Sequence, residues 1–303
     1  MDENELNNQN FQSGLGFFNQ GDFYNAVQIF NALYQKDPTN ISYNNFLSSS
    51  LFFNKQFDEA FDVLSDMPST YGDTEDKIEM ALKISLEVNQ FLFAREFVLK
   101  NVKKNIDDKI KIIEEFEKQY LETHIENVKN NQKSLIYLGS GTLLKEQEIK
   151  FEQSLTLPFT QWVNAAQIAL LDDLVSPLLK STILEIITRL KYQNKVDYLW
   201  IDEKKYSYNP QTGKELLTTT QYKKMLSYLD EINDDSSIYD AVVAYIRMFI
   251  SIVYPKLNQI PDLNNWVDLL IQKAKGNSDI ENLADQLFLK VQDQVDYITK
   301  EIS

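Results

Sequence analysis

A 34-residue repeat near the start of the chain is the feature that most limits what this sequence can fold into. At that spacing a large aromatic returns, with a small alanine three residues later and a large apolar residue four after that. The three series are Phe23, Phe57 and Phe91; Ala26, Ala60 and Ala94; and Phe30, Leu64 and Val98. Spacings of three and four place side chains on one helix face. We therefore predict stacked helix–turn–helix units, with each alanine where two helices approach closely.

The stretch from Gly14 to Pro38 is the clearest of these units. Gly14 occupies a close-packed position of the first helix, and Gly21 with Asp22 forms the turn. Pro38 ends the second helix, because proline disfavours helical geometry at the residue before it. The predicted helices of the three units cover residues 7–20, 24–36, 41–54, 58–66, 75–88 and 92–104.

These units resemble the tetratricopeptide repeat (TPR) family over residues 7–108, most closely in 7–40, then in 41–74 and then in 75–108. Two signature glycines of the first unit are replaced in the second and third units. Gly14 is replaced by Ser48 and Leu82, and Gly21 by Lys55 and Asn89. The resemblance implies an α-solenoid whose concave groove binds other proteins. It also implies that the first helix of each unit lines that groove.

The 34-residue repeat does not continue in the rest of the chain. A helical pattern over 107–133 is expected to cap the last unit, and 134–142, with Gly139-Ser140-Gly141, is expected to be a linker. Residues 143–303 are expected to form a helical domain, in which β-forming residues predict one hairpin near 196–208. This half is similar to the carboxyl-terminal part of uncharacterised TPR proteins of Gram-positive bacteria. The predicted class is all-α: a TPR array over 1–133, the linker, and the helical domain.

Composition excludes several kinds of chemistry. The 303 residues contain no cysteine, so disulfides and zinc–thiolate sites cannot form. The net charge is −15, and the first 76 residues carry twelve acids against Lys36 and Lys55. Nucleic acid and anionic membranes would be repelled. An acidic polar start argues against a signal peptide, and no apolar run is long enough to span a membrane, so a cytoplasmic location is expected.

No motif points to catalysis, a metal or a cofactor, so we expect a non-enzyme. The single histidine, His124, lies between Tyr120 and Val128 on a helical stripe, and we interpret it as structural. Gly139-Ser140-Gly141 has neither the third glycine nor the βαβ context of a phosphate loop. Two alternatives to a binding module stay open: an enzyme or regulator with its active part in 143–303, and a self-associating structural protein.

The resemblance also implies which residues line the groove. Mapped onto the first two units, its positions give a mixed aromatic and polar set: Phe11, Leu15, Phe18, Asn19, Asn45, Ser49, Phe52 and Phe53. The cationic clamp that some family members use for a partner's terminal carboxylate is missing. Aromatic residues in an acidic frame favour an apolar partner segment with basic flanks. The alternative is that Phe18, Phe52 and Phe53 pack against neighbouring units or against the second domain.

Overall fold

The computed structural model describes residues 3–141, 143–232, 236–277 and 282–302. This described part is 74% helical, which confirms the predicted mostly helical class. Its helices are α1 Glu3–Asn19, α2 Phe23–Lys36, α3 Ile41–Phe53, α4 Phe57–Asp66, α5 Glu75–Glu87, α6 Phe91–Asn101, α7 Ile106–Thr123, α8 Ile125–Ile136, α9 Leu144–Ser154, α10 Phe159–Ala169, α11 Pro177–Arg189, α12 Thr220–Ile232, α13 Ser236–Val253, α14 Leu263–Ala274 and α15 Gln286–Ile302.

The turns inside the first three helix pairs repeat in atomic detail. Gly21, Lys55 and Asn89 all take left-handed backbone, with φ of 78°, 64° and 57°. The next residue in each turn donates its amide to a carbonyl five residues back: Asp22 to Phe17, Gln56 to Leu51 and Gln90 to Ser85, at 3.0, 2.9 and 2.8 Å. These bonds satisfy carbonyls left free at the end of the first helix. The second helices then begin at Phe23, Phe57 and Phe91, one period apart.

The apolar residues that recur every 34 positions form the core of the three helix pairs. Ala26, Ala60 and Ala94 are fully buried, and so are the three large residues that follow them by four positions: Phe30, Leu64 and Val98. An alanine side chain lets the partner helix approach closely, and the larger residue fills the space one turn on. The sequence pattern therefore describes the packing of these helices directly.

The second helix pair has Ser48 where the first pair has Gly14, and a hydrogen bond accommodates the serine side chain. Ser48 is fully buried, and its Oγ lies 2.5 Å from the hydroxyl of Tyr71. Tyr71 also donates to Asn44 Oδ1 at 2.9 Å. Tyr71 ends a short 3-10 helix, Pro68–Tyr71, in the break between the second and third pairs. The break thus supplies the partner that a buried serine needs.

The chain divides into two compact units. The amino-terminal unit holds the described part of 1–128 together with 155–159, and the carboxyl-terminal unit holds the described parts of 129–154 and 160–303. The expected linker, 134–142, begins inside α8, and its residue 142 lies outside the described residues. Leu135, Leu138 and Gly139 are buried, so the described part of this stretch is packed.

The helix expected over 107–133 is interrupted. It divides into α7 and α8 at His124, whose backbone leaves the helical region with φ −124° and ψ 40°. The His124 ring stacks on Tyr120 with centroids 4.4 Å apart, and its Nδ1 lies 2.7 Å from Thr123 Oγ1. These contacts fit the structural role expected for this histidine.

The described part of the carboxyl-terminal unit contains helices and one hairpin, as predicted. Strands β1 Val196–Leu199 and β2 Lys205–Tyr208 pair antiparallel, with Val196 opposite Tyr208. Helices α13, α14 and α15 pack together around an aromatic cluster, in which Trp266 contacts Phe249 and Phe288 with ring centroids 6.2 and 5.2 Å away. All three rings are fully buried.

Candidate partner-binding surface

The predicted groove residues lie on the two first helices of the repeat. Helix α1 carries Phe11, Leu15, Phe18 and Asn19, and α3 carries Asn45, Ser49, Phe52 and Phe53. Asn19 and Phe53 are exposed, and the other six are half-buried. The structure therefore brings these residues onto adjacent helices, with very different access to solvent.

Phe11 joins α1 to the helices beside it. Its ring lies 5.7 Å from Phe30 of α2, 5.7 Å from Tyr43 of α3 and 5.6 Å from Phe46 of α3. The contacts with Phe30 and Phe46 are edge-to-face, a geometry that adds stability beyond area burial. Phe11 therefore contributes to packing between the first two helix pairs. The alternative stated above expected this packing role for Phe18, Phe52 and Phe53.

Phe18 has the same role about two turns further along α1. Its ring contacts Phe23, Phe46 and Phe53, with centroids 5.5, 5.8 and 5.9 Å away. These three partners come from α2 and α3. Phe18 therefore contributes mainly to packing beneath the surface and little to the surface itself.

Phe53 is the aromatic of this set that faces solvent. It keeps 43% of its surface exposed. Its inner face stacks on Phe23, with centroids 4.9 Å apart and ring planes at 23°. Phe52 touches its edge at 5.5 Å and also contacts Phe57 of α4. A ring held from behind and open in front is suited to receive an apolar group with little loss of side-chain entropy. We call Phe18, Phe23, Phe52 and Phe53 the aromatic patch.

Polar groups on α3 continue from the aromatic patch toward the helix start. Ser49 Oγ donates to the Asn45 carbonyl at 2.7 Å, and Asn45 Oδ1 accepts from Thr70 Oγ1 at 3.0 Å. The bond from Thr70 orients the Asn45 side chain. In the described chain no hydrogen bond occupies its amide nitrogen, which leaves a donor for a ligand carbonyl.

A polar cavity of about 320 Å³ lies at the other end of α1 and α3. Phe11 and Tyr43 form its apolar side, and Asn8, Asp37 and Asn40 line its polar side. Hydrogen bonds from Thr39 hold the pKa of Asp37 below its ordinary value, so this carboxylate stays charged at neutral pH. Sequence reasoning missed Tyr43 and Asn40. The three-residue spacing of Tyr43 and Phe46 on one helix face was the available signal.

Alternative sites have little support in the described chain. Among the described residues, no group of three or more His, Asp or Glu is placed to hold a metal ion. Nor does any helix of that part combine the length and apolarity needed to cross a membrane.

Comparisons with protein-family models, with curated proteins and with solved structures find no match to this chain. The functional reading therefore depends on the geometry above.

Proposed function

We propose that the amino-terminal unit is a TPR-type protein-binding module that holds a partner segment across α1 and α3. The observation that carries this proposal is Phe53, exposed on one face and stacked on Phe23 on the other. Anchoring aromatics in a supported position dominate the binding energy of many protein interfaces. The regular backbone repeat of the three helix pairs supports the family assignment.

The partner segment is apolar with basic flanks. Burying one apolar side chain against the aromatic patch contributes about 1.5–3 kcal/mol. Two or three such contacts contribute about 3–9 kcal/mol before the ordering of the segment is subtracted, so an affinity between millimolar and micromolar is expected. Acids outnumber bases strongly in the first 76 residues, and Asp37 keeps its charge beside the polar cavity. Lysine or arginine flanks would therefore speed association and add specificity.

A selection from a random peptide library displayed on phage tests this proposal, with the immobilised full chain as bait. We expect enriched peptides with two or three large apolar residues next to lysine or arginine. Their binding should weaken as salt rises, because exposed charge pairs are screened. Enrichment of acidic peptides, or none above an empty surface, would contradict the proposed partner chemistry.

The exchange Phe53→Ala is the direct variant for this site, and Tyr24→Ala is its matched control. Tyr24 is also exposed, at 63%, but it lies on α2 and outside the aromatic patch. Selected peptides should lose affinity for the first variant and keep it for the second.

A further inference from the structure

A second site in the carboxyl-terminal unit lies beside the start of α11. A cavity of about 160 Å³ is lined there by Val175 and Lys180, by Tyr198 and Trp200 of the hairpin region, and by Ile252 and Tyr254 at the end of α13. Its wall thus combines apolar and aromatic side chains with one cationic side chain, two carboxylates and the amide of Gln294. All of these residues belong to the carboxyl-terminal unit.

Lys180 is buried without a contact partner for its charge. It is 8% exposed, and among the described residues no hydrogen bond or ion pair engages its side chain. Burial lowers the pKa of this amine to about 8, although Asp172 and Asp173 attract its charge from a distance. The buried side-chain atoms that lack a partner among the described residues do not include Lys180 Nζ, so this amine reaches the solvent in the cavity. An anion in contact with it would form a charge-assisted hydrogen bond.

One hydroxyl of the cavity wall also has capacity to bond a ligand, that of Tyr198. In the described chain no hydrogen bond is found for the Tyr198 hydroxyl, which is 3% exposed. Burial raises the pKa of Tyr198 well above its ordinary value, so this hydroxyl stays a donor. The start of α11 adds the positive end of a helix dipole.

The acids around the cavity limit the charge of the ligand. Asp173 and Glu203 are among its lining residues. They repel a dianion such as phosphate more strongly than a monoanion. An adjoining cavity of about 390 Å³ shares Asp173, Val175 and Pro177 with the first and is rimmed by Leu174, which is 67% exposed. Apolar groups of a ligand have room there.

We infer that this cavity binds a small organic monocarboxylate, whose carboxylate contacts Lys180 and the Tyr198 hydroxyl and whose apolar body lies against Val175 and Ile252. This inference is independent of the proposed partner-binding function, which concerns the other unit. Lys180 binds the ligand in this proposal, and no covalent bond forms.

The test is a titration of the full chain, labelled for backbone amide NMR, with acetate, isovalerate and benzoate. Benzamide and benzylamine are the neutral and cationic probes matched to benzoate, and inorganic phosphate is the dianion. We expect saturable shifts around residues 175–180 and 198–200 for at least one monocarboxylate at millimolar concentration. The same shifts with benzamide, stronger binding of phosphate, or no saturable shift with any monocarboxylate would overturn the inference.

Variants identify the cation. Lys180→Met should weaken monocarboxylate binding by about tenfold or more, because a charge-assisted hydrogen bond is lost. Lys195→Met is the control, since Lys195 is exposed and outside the cavity. If Lys180→Met does not fold, acetylation of the wild-type chain replaces it. A saturating monocarboxylate should then slow modification of Lys180 several-fold and leave Lys195 unchanged. Unchanged affinity, or unchanged acetylation at Lys180, would contradict the assigned role.

Discussion

The ring of Phe30 packs directly against the backbone of Gly14. A methyl group on Gly14 would lie 2.8 Å from Cε1 and 2.9 Å from Cζ of that ring, and 3.2 Å from Ile29 Cγ2. Carbon atoms do not approach so closely without displacement. Phe30 is fully buried, so its ring has little freedom to move away. Glycine at position 14 is therefore a packing requirement of the first helix pair, as the sequence pattern predicted.

Gly14→Ala should destabilise the fold even though alanine favours helix. Overpacking costs about 1–3 kcal/mol, and the better helix propensity of alanine returns up to about 1 kcal/mol. Gly16→Ala is the matched control in the same helix, because nothing lies within 4 Å of the added methyl group. That control should stabilise by about 0.5–1 kcal/mol. Urea unfolding of both variants checks the pair, and equal effects would refute the packing argument.

Ala60→Leu tests the register of the second pair. Ala60 is fully buried where α4 meets its neighbours, so three added carbons should cost about 1–3 kcal/mol. Glu59→Leu beside it is the control, since Glu59 is exposed. If thermal unfolding of Ala60→Leu matches the wild type, the register assigned here is wrong.

Lys55→Gly should stabilise the second pair by about 1 kcal/mol. Lys55 has φ 64° in the turn where the first pair has Gly21, and left-handed backbone costs a side-chain-bearing residue about 1–2 kcal/mol. The greater unfolded-state entropy of glycine offsets part of that gain. Lys55→Ala separates backbone from charge, because it keeps the strain and should change stability little. A similar gain from Ala and Gly would exclude the backbone explanation.

Lys180→Met should raise the free energy of unfolding most at neutral pH. The folded pKa is about 8 against an ordinary 10.5, so the unfolded chain binds the extra proton between those values and wild-type stability rises with pH across that window. The variant lacks this rise, so its advantage of about 1–3 kcal/mol near neutral pH should shrink toward pH 10. Comparing it with wild type cancels the titration of buried tyrosines. A difference that stays constant with pH would contradict the buried-charge account.

Sequence periodicity was sufficient for the parts of the fold that local spacing controls. Short-range patterns predicted the buried alanines, the hairpin and the second helix of each pair, whose observed starts at Phe23, Phe57 and Phe91 lie one residue before the predicted ones. The predicted groove residues fall on α1 and α3, but spacing could not tell exposed Phe53 from half-buried Phe18. That difference depends on which rings of α2 and α3 pack behind them.

Sequence periodicity could not predict contacts between residues that are far apart in the sequence. Arg95 of α6 forms a bidentate, buried pair with Glu117 of α7 at 2.9 and 2.6 Å, and Glu117 also accepts from the Phe159 amide at 2.9 Å. Local charge patterns do not distinguish these residues from surface pairs. The solitary burial of Lys180 was missed for the same reason.

The most direct test of the central claim is the affinity of a selected peptide for four forms of the chain, measured by calorimetry beside their melting temperatures. Phe53→Ala should weaken binding by about tenfold or more with a smaller fall in melting temperature than Phe18→Ala combined with Phe52→Ala, because its ring is 43% exposed, and Tyr24→Ala should bind like the wild type. Phe18→Ala combined with Phe52→Ala should lose both binding and stability, since Phe18 supports three other rings. Unchanged affinity in Phe53→Ala, or equal losses in Phe53→Ala and Tyr24→Ala, would contradict binding across α1 and α3.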